Sequence, residues 1–416
     1  MSEFRFDDVI VAHDAGDLQD YLRGAHHGPN RPLCLCVPQG VPMYVARLAD
    51  RYLIKRMPDT GHQHSPDCAS YEPPAELSGL GEVKGEAIRE NVEDGTTTLR
   101  LDFSLSKTGG KAPPETQQSK SPDTVRSDGA KLTLRGTLHY LWEEAGLNRW
   151  VPAMAGKRSW AVVRRALTNA AHGKVTKNTS LADLLYVPEP FTLDEASALT
   201  QRRIARLGHL TVQSRVRKLM MVVAEAKEIT TSRYGFKLVA KHLSDFPFML
   251  NEELHTKLQK AFVRELALWD SIEDSHLVFL ATFGLSAAGV ANIEAMTVMV
   301  TTRNWIPFEH TLDKALIDDL TNGDRRFVKG LRYNLSSKKP LACAVLSDVR
   351  PQPVALYVLP PDTEPEYDAA LQQLVNESAM TSWVWRTTDT MPALPPTSSV
   401  SSAGRTLPAP VETSAW

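Results

Sequence analysis

Hydrophobic positions near the N-terminus follow the short alternating runs that are typical of β-strands. Two such runs, at 41–48 and 51–57, are joined by Ala49-Asp50 and predict a hairpin. Two further runs alternate polar and apolar residues on either side of Asp94-Gly95, a dipeptide that favours a tight hairpin turn. The pattern therefore predicts a small β-rich module over residues 1–106.

Two segments lack the apolar residues needed to form a core. Val125 is the single large hydrophobic residue within 107–130, so this stretch cannot bury enough surface to offset the entropy lost on ordering. We predict a flexible linker here and a domain boundary. Residues 387–416 are rich in Pro, Ser and Thr, and are predicted to be a disordered tail.

The spacing of apolar residues becomes helical after the linker. Leu134, Leu138 and Leu141 lie on one face of a predicted helix, because they recur at intervals of three or four residues. A second helix is predicted from Ser159 to about Ala171, followed by a polar turn and a strand-like return. This order is typical of a winged helix, and we predict a winged-helix-like unit over residues 131–200.

The remaining pattern mixes strands and helices. Residues 201–386 are predicted to form a mixed α/β domain. Within it, 308–386 reads as a helix, three strands, a helix and a final strand. The expected fold class is therefore α+β and multidomain, with a β-rich N-terminal module, the winged-helix-like unit and a C-terminal domain of αβββαβ order.

Composition narrows the function classes without choosing among them. The chain is 42% hydrophobic and 23% charged, which is ordinary for a globular protein, and its net charge of -2 gives no overall polyanion-binding signature. No apolar run is long enough to span a membrane, and the acidic N-terminus lacks a signal-peptide core. The clustered cysteines do not suggest a disulfide framework. We expect a cytoplasmic protein without a membrane partner.

Three of the four cysteines cluster around the predicted N-terminal hairpin. Cys34 and Cys36 are two residues apart, and an extended strand would point them to the same face. The hairpin would return the chain so that His64 and Cys68 lie beside them. Three thiolates and one imidazole complete a tetrahedral set for Zn²⁺, and a closed set of this kind is structural rather than catalytic. His62 competes with His64 for the fourth position.

Basic residues concentrate in the winged-helix-like unit. Residues 131–190 contain nine Lys or Arg and four acidic residues. Local positive charge of this kind favours DNA, with the second helix reading the groove and the following loop touching phosphates. A solvated helix face with ordinary charges is the alternative. The predicted DNA contacts are Arg158, Arg164 and Arg165 at the second helix, and Lys174 and Lys177 in the loop that follows it.

Three stretches, at 43–74, 138–160 and 327–348, resemble an uncharacterised bacterial family, a domain of unknown function carried on integrative conjugative elements and large plasmids. The resemblance extends through most of the chain except the tail. It implies a mobile-element context, with other proteins of such elements as partners, and it assigns no activity and no catalytic residue. The cysteine–histidine pattern is also loosely similar to zinc modules associated with nucleases of competence-type proteins.

The αβββαβ order at 308–386 resembles the core of the PD-(D/E)XK nucleases. That family places an Asp at the end of the second strand and Glu-x-Lys on the third, where they hold Mg²⁺ and stabilise charge. Here Asp348 occupies the Asp position and Glu309 can supply a second carboxylate. The predicted third strand, 354–359, contains neither Glu nor Lys. The resemblance therefore implies a nuclease-like domain that has lost its activity.

An intact Glu-x-Lys is present elsewhere, as Glu225-Ala-Lys227 at the end of an apolar strand, where both side chains would share a face. It supports an alternative, an active Mg²⁺-dependent nuclease that uses Glu225 and Lys227. A further alternative is a structural or regulatory scaffold without nucleic-acid contact. The favoured interpretation is a DNA-associated accessory protein of a mobile element, with a degenerate nuclease-like domain and no enzymatic activity.

Overall fold

The computed structural model combines helices with several separate sheets, so the predicted α+β class is confirmed. It describes residues 3–48, 51–108, 129–211, 216–233, 235–361 and 363–397. Three predicted features lie outside these residues: the turn at Ala49-Asp50, the linker over 109–128 and the end of the tail over 398–416.

The N-terminal part forms a sheet with one helix packed on it. Its elements are β1 (Glu3–Phe6), β2 (Val9–Ala12), α1 (Leu18–His27), β3 (Leu33–Cys34), β4 (Val41–Leu48) and β5 (Arg51–Arg56). The strand order is β2-β1-β3-β4-β5. β4 and β5 pair antiparallel from Met43–Arg56 to Leu48–Arg51, which confirms the predicted hairpin. Phe4, Leu22 and Met43 are buried in the core of this module.

A second hairpin follows, and its turn packs against the first. The elements are α2 (Leu80–Val83), β6 (Ile88–Glu90), β7 (Thr97–Leu99) and β8 (Ser106–Thr108). β6 and β7 pair antiparallel around the predicted Asp94-Gly95 turn. Gly95 has a φ of +71°, and a Cβ on it would meet the Cβ of Ala46 at 2.4 Å, so glycine is required there. The turn is thereby held against β4.

The predicted pair of helices is present after residue 131. The elements are α3 (Leu134–Glu144), β9 (Arg149–Trp150), α4 (Trp160–Ala171), β10 (Lys174–Thr176), β11 (Thr179–Ser180), α5 (Leu181–Leu184) and β12 (Leu185–Tyr186). Thr133 caps α3 by accepting from the amide of Gly136. Lys177 and Asn178 have φ values of +47° and +61°, which suit the two-residue turn between β10 and β11.

Strand pairing crosses the segment predicted to be a linker. β10 pairs parallel with β7, giving a sheet in the order β11-β10-β7-β6. The predicted linker starts at residue 107, but Lys107 belongs to β8, which pairs with a strand at 216–218. The β-rich part before residue 108 and the helical part after 129 therefore share a sheet.

The middle of the chain forms a ring of long strands. The elements are α6 (Ala196–Leu207), β13 (Val216–Lys218), β14 (Met220–Ser232), β15 (Gly235–Ala240), β16 (Leu243–Leu250), α7 (Glu252–Ala261), α8 (Val263–Ser271), β17 (His276–Leu285) and β18 (Ala291–Thr301). The sheet order is β12-β14-β15-β16-β18-β17, and β14 also pairs with β17. That additional pairing closes the ring and leaves β12 outside it.

The C-terminal part has the predicted αβββαβ order of elements. They are α9 (Thr311–Asn322), β19 (Phe327–Lys329), β20 (Ala344–Leu346), β21 (Val354–Leu359), α10 (Pro365–Glu377) and β22 (Thr381–Arg386). The sheet order is β22-β21-β20-β19-β9, and the pair β21–β22 is parallel. The predicted tail begins at residue 387, but Met391 and Leu394 pack against the largest core, so its first part is ordered by apolar contact.

Candidate metal centre

Four potential metal ligands converge beside the N-terminal hairpin. Cys34 ends β3 and Cys36 follows it, while His64 and Cys68 lie in the loop after β5. The β4–β5 hairpin returns the chain to its starting point, as the sequence predicted. The ligand atoms of the four residues all lie within 4.8 Å of one another. These residues can therefore hold a metal ion.

The distances match the edges of a tetrahedral site. The Cys34 and Cys68 Sγ atoms are 3.7 Å apart, and His64 Nδ1 lies 3.3 Å from Cys36 Sγ and 3.7 Å from Cys68 Sγ. A tetrahedral zinc ion with ordinary bond lengths requires sulfur–sulfur edges of about 3.8 Å and sulfur–nitrogen edges of about 3.6 Å. A disulfide requires about 2.05 Å. The spacing therefore fits ligands placed around an ion, and all four cysteines are free thiols.

The surroundings of the cluster favour thiolates. The backbone amides of Ser65 and Ser70 each lie 3.4 Å from a ligand sulfur, of Cys36 and Cys68 respectively. Such amide hydrogen bonds stabilise negative charge on sulfur. His64 is only 2% exposed, whereas His62 lies at the surface. Burial therefore selects His64 as the fourth ligand, the point that the sequence left open.

The close approach of the three thiols gives them different pKa values. The hydrogen bond between the thiols of Cys34 and Cys68, together with burial, raises the pKa of Cys34. The same hydrogen bond, with a second from His64, lowers the pKa of Cys68 to about 4. Burial raises the pKa of Cys36. Without a metal, the site therefore favours a thiolate at Cys68 and disfavours thiolates at Cys34 and Cys36. The positive charge of a bound dication would stabilise all three thiolates.

The loop that carries His64 and Cys68 is anchored to the rest of the protein. Asp67 binds Arg326, with 3.0 Å between Oδ1 and Nη1, and also pairs with Arg350. Arg56 of β5 binds Glu72 at 2.5 Å. The metal ligands are therefore linked through adjacent residues both to the N-terminal sheet and to the C-terminal sheet.

Some of the residues predicted to contact DNA are bonded within the protein, and the others lie at the surface. Arg158 donates to the carbonyls of Leu147 and Asn304 at 2.9 and 3.2 Å, and Arg164 donates to the carbonyl of Val187 at 3.2 Å. These two guanidinium groups therefore bond to the chain's own carbonyls, which uses donors that the prediction assigned to phosphates.

Lys174 also differs from its prediction. It was expected in an exposed loop, and that is wrong: Lys174 is the first residue of β10, its side chain is 7% exposed, and it pairs with Glu144. Burial beside β7 makes this ion pair necessary, because an isolated ammonium would be strongly destabilised there. Arg165 and Lys177 lie at the surface, as predicted.

Arg165 lines a cleft of about 380 Å³ between α4 and the N-terminal hairpin. The hairpin contributes Arg47 and Lys55, two residues that sequence reasoning missed because they read as ordinary polar positions of a strand. The Lys55 ammonium donates to the carbonyl of Gly95 at 3.1 Å. The charged residues lining the cleft are Arg47, Lys55, Glu144, Arg165 and Lys174.

The Glu225–Lys227 pair is not assembled as a site. Glu225 is buried and accepts from Lys241 at 3.0 Å and from His276 at 2.8 Å. Lys227 is exposed. The register between β14 and β15 shifts between Ala226 and Glu228, so Lys227 is the extra residue of a β-bulge. The predicted shared strand face depended on regular alternation, which the bulge interrupts.

Asp348 and Glu309 each bind a different arginine. Asp348 accepts from Arg325 at 2.8 and 2.9 Å and from the amide of Arg326 at 2.8 Å. Glu309 accepts from Arg332 at 2.7 to 2.8 Å. Both carboxylates are thus neutralised by a guanidinium group rather than directed together at a metal position.

Comparison with known proteins assigns the chain to a family. The DUF1173 family, described as a protein of unknown function, matches residues 4–388. No curated protein and no solved structure matches the chain. Among the described residues, no helix is both long and apolar enough to cross a membrane. Since the match covers most of the sequence, the chain belongs to the DUF1173 family of proteins of unknown function.

Proposed function

We propose that this chain is a nucleic-acid-binding accessory protein of a mobile genetic element, with a structural Zn²⁺ in its N-terminal module. The observation that carries the proposal is the basic cleft between the hairpin and α4. Four basic side chains line it, against the single carboxylate of Glu144. Excess positive charge in a cleft attracts the phosphate backbone of DNA independently of base sequence.

The geometry of the cleft supports contacts to phosphates rather than to bases. Arg47 and Arg165 are exposed on opposite sides, one on β4 and one on α4. Lys177 is exposed at the tip of the β10–β11 turn, one hairpin further along the chain. The arrangement of α3, α4 and this hairpin is consistent with a winged-helix-like unit that uses α4 and the hairpin tip for binding.

Zinc is proposed as the ion because of the donor set. Three sulfurs and one imidazole nitrogen at tetrahedral spacing are the usual ligands of structural Zn²⁺, whereas Mg²⁺ and Ca²⁺ require oxygen. The ion would supply no catalysis, since the four ligands leave no open position. Its role would be to hold β3 against the loop at 61–72, and so to fix the hairpin that forms one side of the cleft.

The C-terminal domain is proposed to be nuclease-like in its order of elements but inactive. Its two predicted carboxylates, Asp348 and Glu309, are bonded to arginines. β21 contributes only Val, Ala, Leu and Tyr side chains. None of these is a good ligand for Mg²⁺, and none carries the positive charge that phosphodiester hydrolysis requires. The domain would then serve as a support for the N-terminal loop through Arg326 and Arg350.

The test is the salt dependence of duplex binding. Fluorescence anisotropy with a labelled duplex should show an affinity that falls linearly with salt on logarithmic axes. The double variant Arg47→Ala/Arg165→Ala should weaken binding and reduce the magnitude of the salt slope by about two, one unit for each lost phosphate contact. Lys227→Ala is the matched control, because Lys227 is also exposed but lies outside the cleft.

Two results would contradict the proposal. Wild-type protein that fails to bind duplex DNA at low salt would favour the scaffold alternative. Binding that is unchanged in Arg47→Ala/Arg165→Ala but weakened in Lys227→Ala would remove the cleft as the contact surface.

A further inference from the structure

A second cavity lies on the far side of α3, and it has no lining residue in common with the basic cleft. Its volume is about 230 Å³, it opens to solvent, and it is lined by residues of α3, the α7–α8 junction, β18 and β19. Apolar side chains such as Phe262, Val298 and Phe308 form part of its wall. Binding sites for small molecules are commonly of this kind, with an apolar wall and a few convergent polar groups.

Positive charge dominates the polar part of the cavity lining. The basic residues are Arg135, Lys260, Arg264, Lys329 and Arg332, and the acidic ones are Glu265 and Glu309. Burial raises the pKa of Glu265. The lining therefore favours an anion over a neutral or cationic ligand.

The deepest of these cations is Lys329. It is 3% exposed, its Nζ donates to the carbonyl of Gly330 at 3.0 Å, and it lies 3.6 Å from an oxygen of Asp313. Asp313 also accepts from the thiol of Cys343 at 2.6 Å and from the amide of Glu309 at 2.9 Å. An ammonium has three donors, so these contacts leave Lys329 with capacity for a ligand oxygen.

Three of the five basic side chains in the lining already have partners in the protein, which are Asp313 for Lys329, backbone carbonyls for Arg135 and Glu309 for Arg332. Glu309 forms two-oxygen contacts with Arg332, and the Arg332 guanidinium is also bonded to the carbonyls of Ser336 and Lys339 at 2.8 and 2.9 Å. This pair is therefore a fixed part of the wall. Lys260 and Arg264, in contrast, are exposed at the α7–α8 junction and reach the cavity from its outer side.

His139 adds a neutral polar group to the lining. Its Nδ1 accepts from the amide of Tyr333 at 2.9 Å. Burial lowers the pKa of His139 to about 3, so the ring is neutral near pH 7. A neutral imidazole that accepts at Nδ1 carries its proton on Nε2, so His139 has one donor and no charge.

We propose that this cavity binds a phosphate monoester, of the kind found at the 5′ end of a nucleotide. The donors for such a ligand are the side chains of Lys260 and Arg264 at the α7–α8 junction and the remaining donor capacity of Lys329 on β19. A phosphate presents three oxygens in different directions and two negative charges, which suits donors that come from several sides. A planar carboxylate is better matched by one guanidinium fork. This site is separate from the basic cleft and does not rest on duplex binding.

The experiment is a calorimetric titration of the full chain with deoxyadenosine 5′-monophosphate, inorganic phosphate, deoxyadenosine and acetate. The monophosphate and inorganic phosphate should bind, and deoxyadenosine and acetate should not. Lys260→Ala/Arg264→Ala should weaken the binding of the monophosphate about fivefold or more, because two charge-assisted contacts are lost at a partly exposed site. Lys257→Ala is the control, since Lys257 lies on the same helix and pairs with Glu253 outside the cavity.

Lys329→Met tests the buried end of the site. If circular dichroism shows that this variant is folded, it should not bind the monophosphate. If the variant is unfolded, the test rests on Lys260→Ala/Arg264→Ala alone. The proposal is overturned if the wild type binds neither phosphate, if deoxyadenosine or acetate binds as tightly as the monophosphate, or if Lys260→Ala/Arg264→Ala binds like Lys257→Ala. Duplex affinity, measured in the same variants, should be unchanged, which separates this site from the cleft.

Discussion

Loss of a single ligand from the metal centre should loosen the N-terminal module while leaving the rest of the fold in place. Cys68→Ser replaces a ligand sulfur by a hydroxyl, which is a poor ligand for zinc. Zinc binding contributes roughly 10–16 kcal/mol to the folding free energy of isolated zinc fingers, so the loss of one of four ligands should cost roughly 3 kcal/mol. This is a large share of what a small module has, because domains as a whole are stable by about 5–15 kcal/mol.

The structure indicates which part of the protein would be destabilised. Cys34 and Cys68 are themselves members of the core that contains Phe4, Leu22 and Met43. The core of the module is therefore continuous with the ligand cluster, so loss of the metal would disturb this core directly. The C-terminal sheet buries Leu356 and Tyr357 in two other cores, and neither of these contains a residue of the ligand cluster.

Two measurements follow. Elemental analysis should find about one zinc per wild-type chain and a clear deficit in Cys68→Ser. Hydrogen exchange should become roughly a hundredfold faster in β1–β5, the equivalent of roughly 3 kcal/mol, and should change little in β19–β22. Cys343→Ser is the matched control, because Cys343 is a buried thiol bonded to Asp313 and is not part of the cluster.

The reasoning would be refuted by wild-type protein that contains no zinc after purification without chelators. It would also be refuted by Cys68→Ser protein with full zinc content and unchanged exchange in β1–β5. Equally faster exchange in β1–β5 for Cys68→Ser and Cys343→Ser would show a general loss of stability that does not depend on the metal.

Two further predictions concern partly buried carboxylates. Asp348→Ala should lower the free energy of unfolding of the C-terminal domain by about 3–5 kcal/mol, because it leaves the buried Arg325 unpaired. Neither the wild type nor this variant should cleave plasmid DNA with Mg²⁺ or Mn²⁺. Cleavage by the wild type that is absent in Asp348→Ala would contradict the proposal that the domain is inactive. Burial, with the nearby charge of Glu72, raises the pKa of Glu143 to about 7 from an ordinary value of 4.5. The folded state then holds a proton that the unfolded state has lost, so stability should fall as the pH rises from about 4.5 to about 7. Glu143→Gln should remove this pH dependence. In denaturant titrations, the difference in free energy of unfolding between the variant and the wild type should therefore be about 3 kcal/mol more favourable to the variant at pH 8 than at pH 4. An equal difference at both pH values would contradict the prediction.

The sequence by itself determined the features that depend on neighbouring residues. Apolar periodicity and turn residues predicted the β4–β5 hairpin, the turn at Asp94-Gly95, the helices α3 and α4, and the αβββαβ order near the C-terminus. The candidate metal-ligand set can also be predicted from neighbouring residues, because a hairpin returns the chain to its start and so brings the two halves of the set together. Only the choice of His64 over His62 needed the burial of the folded loop.

Tertiary structure decided which polar residues remain available to a partner. Arg158, Arg164 and Lys174 read as surface cations, but packing placed carbonyls or a carboxylate beside each of them. The bulge at Lys227 depends on the pairing of β14 with β15, and a strand's own sequence does not specify where its partner skips a residue.

The charged clusters also depend on distant segments. The cleft combines Arg47 with Arg165, and the second cavity combines Arg135 with Lys260 and Lys329. Partners separated by more than a hundred positions leave no periodic signal in one sequence, because their meeting is set by how the sheets and helices pack. Local chemistry therefore follows from the sequence, whereas the pairing and burial of charges follow from the fold.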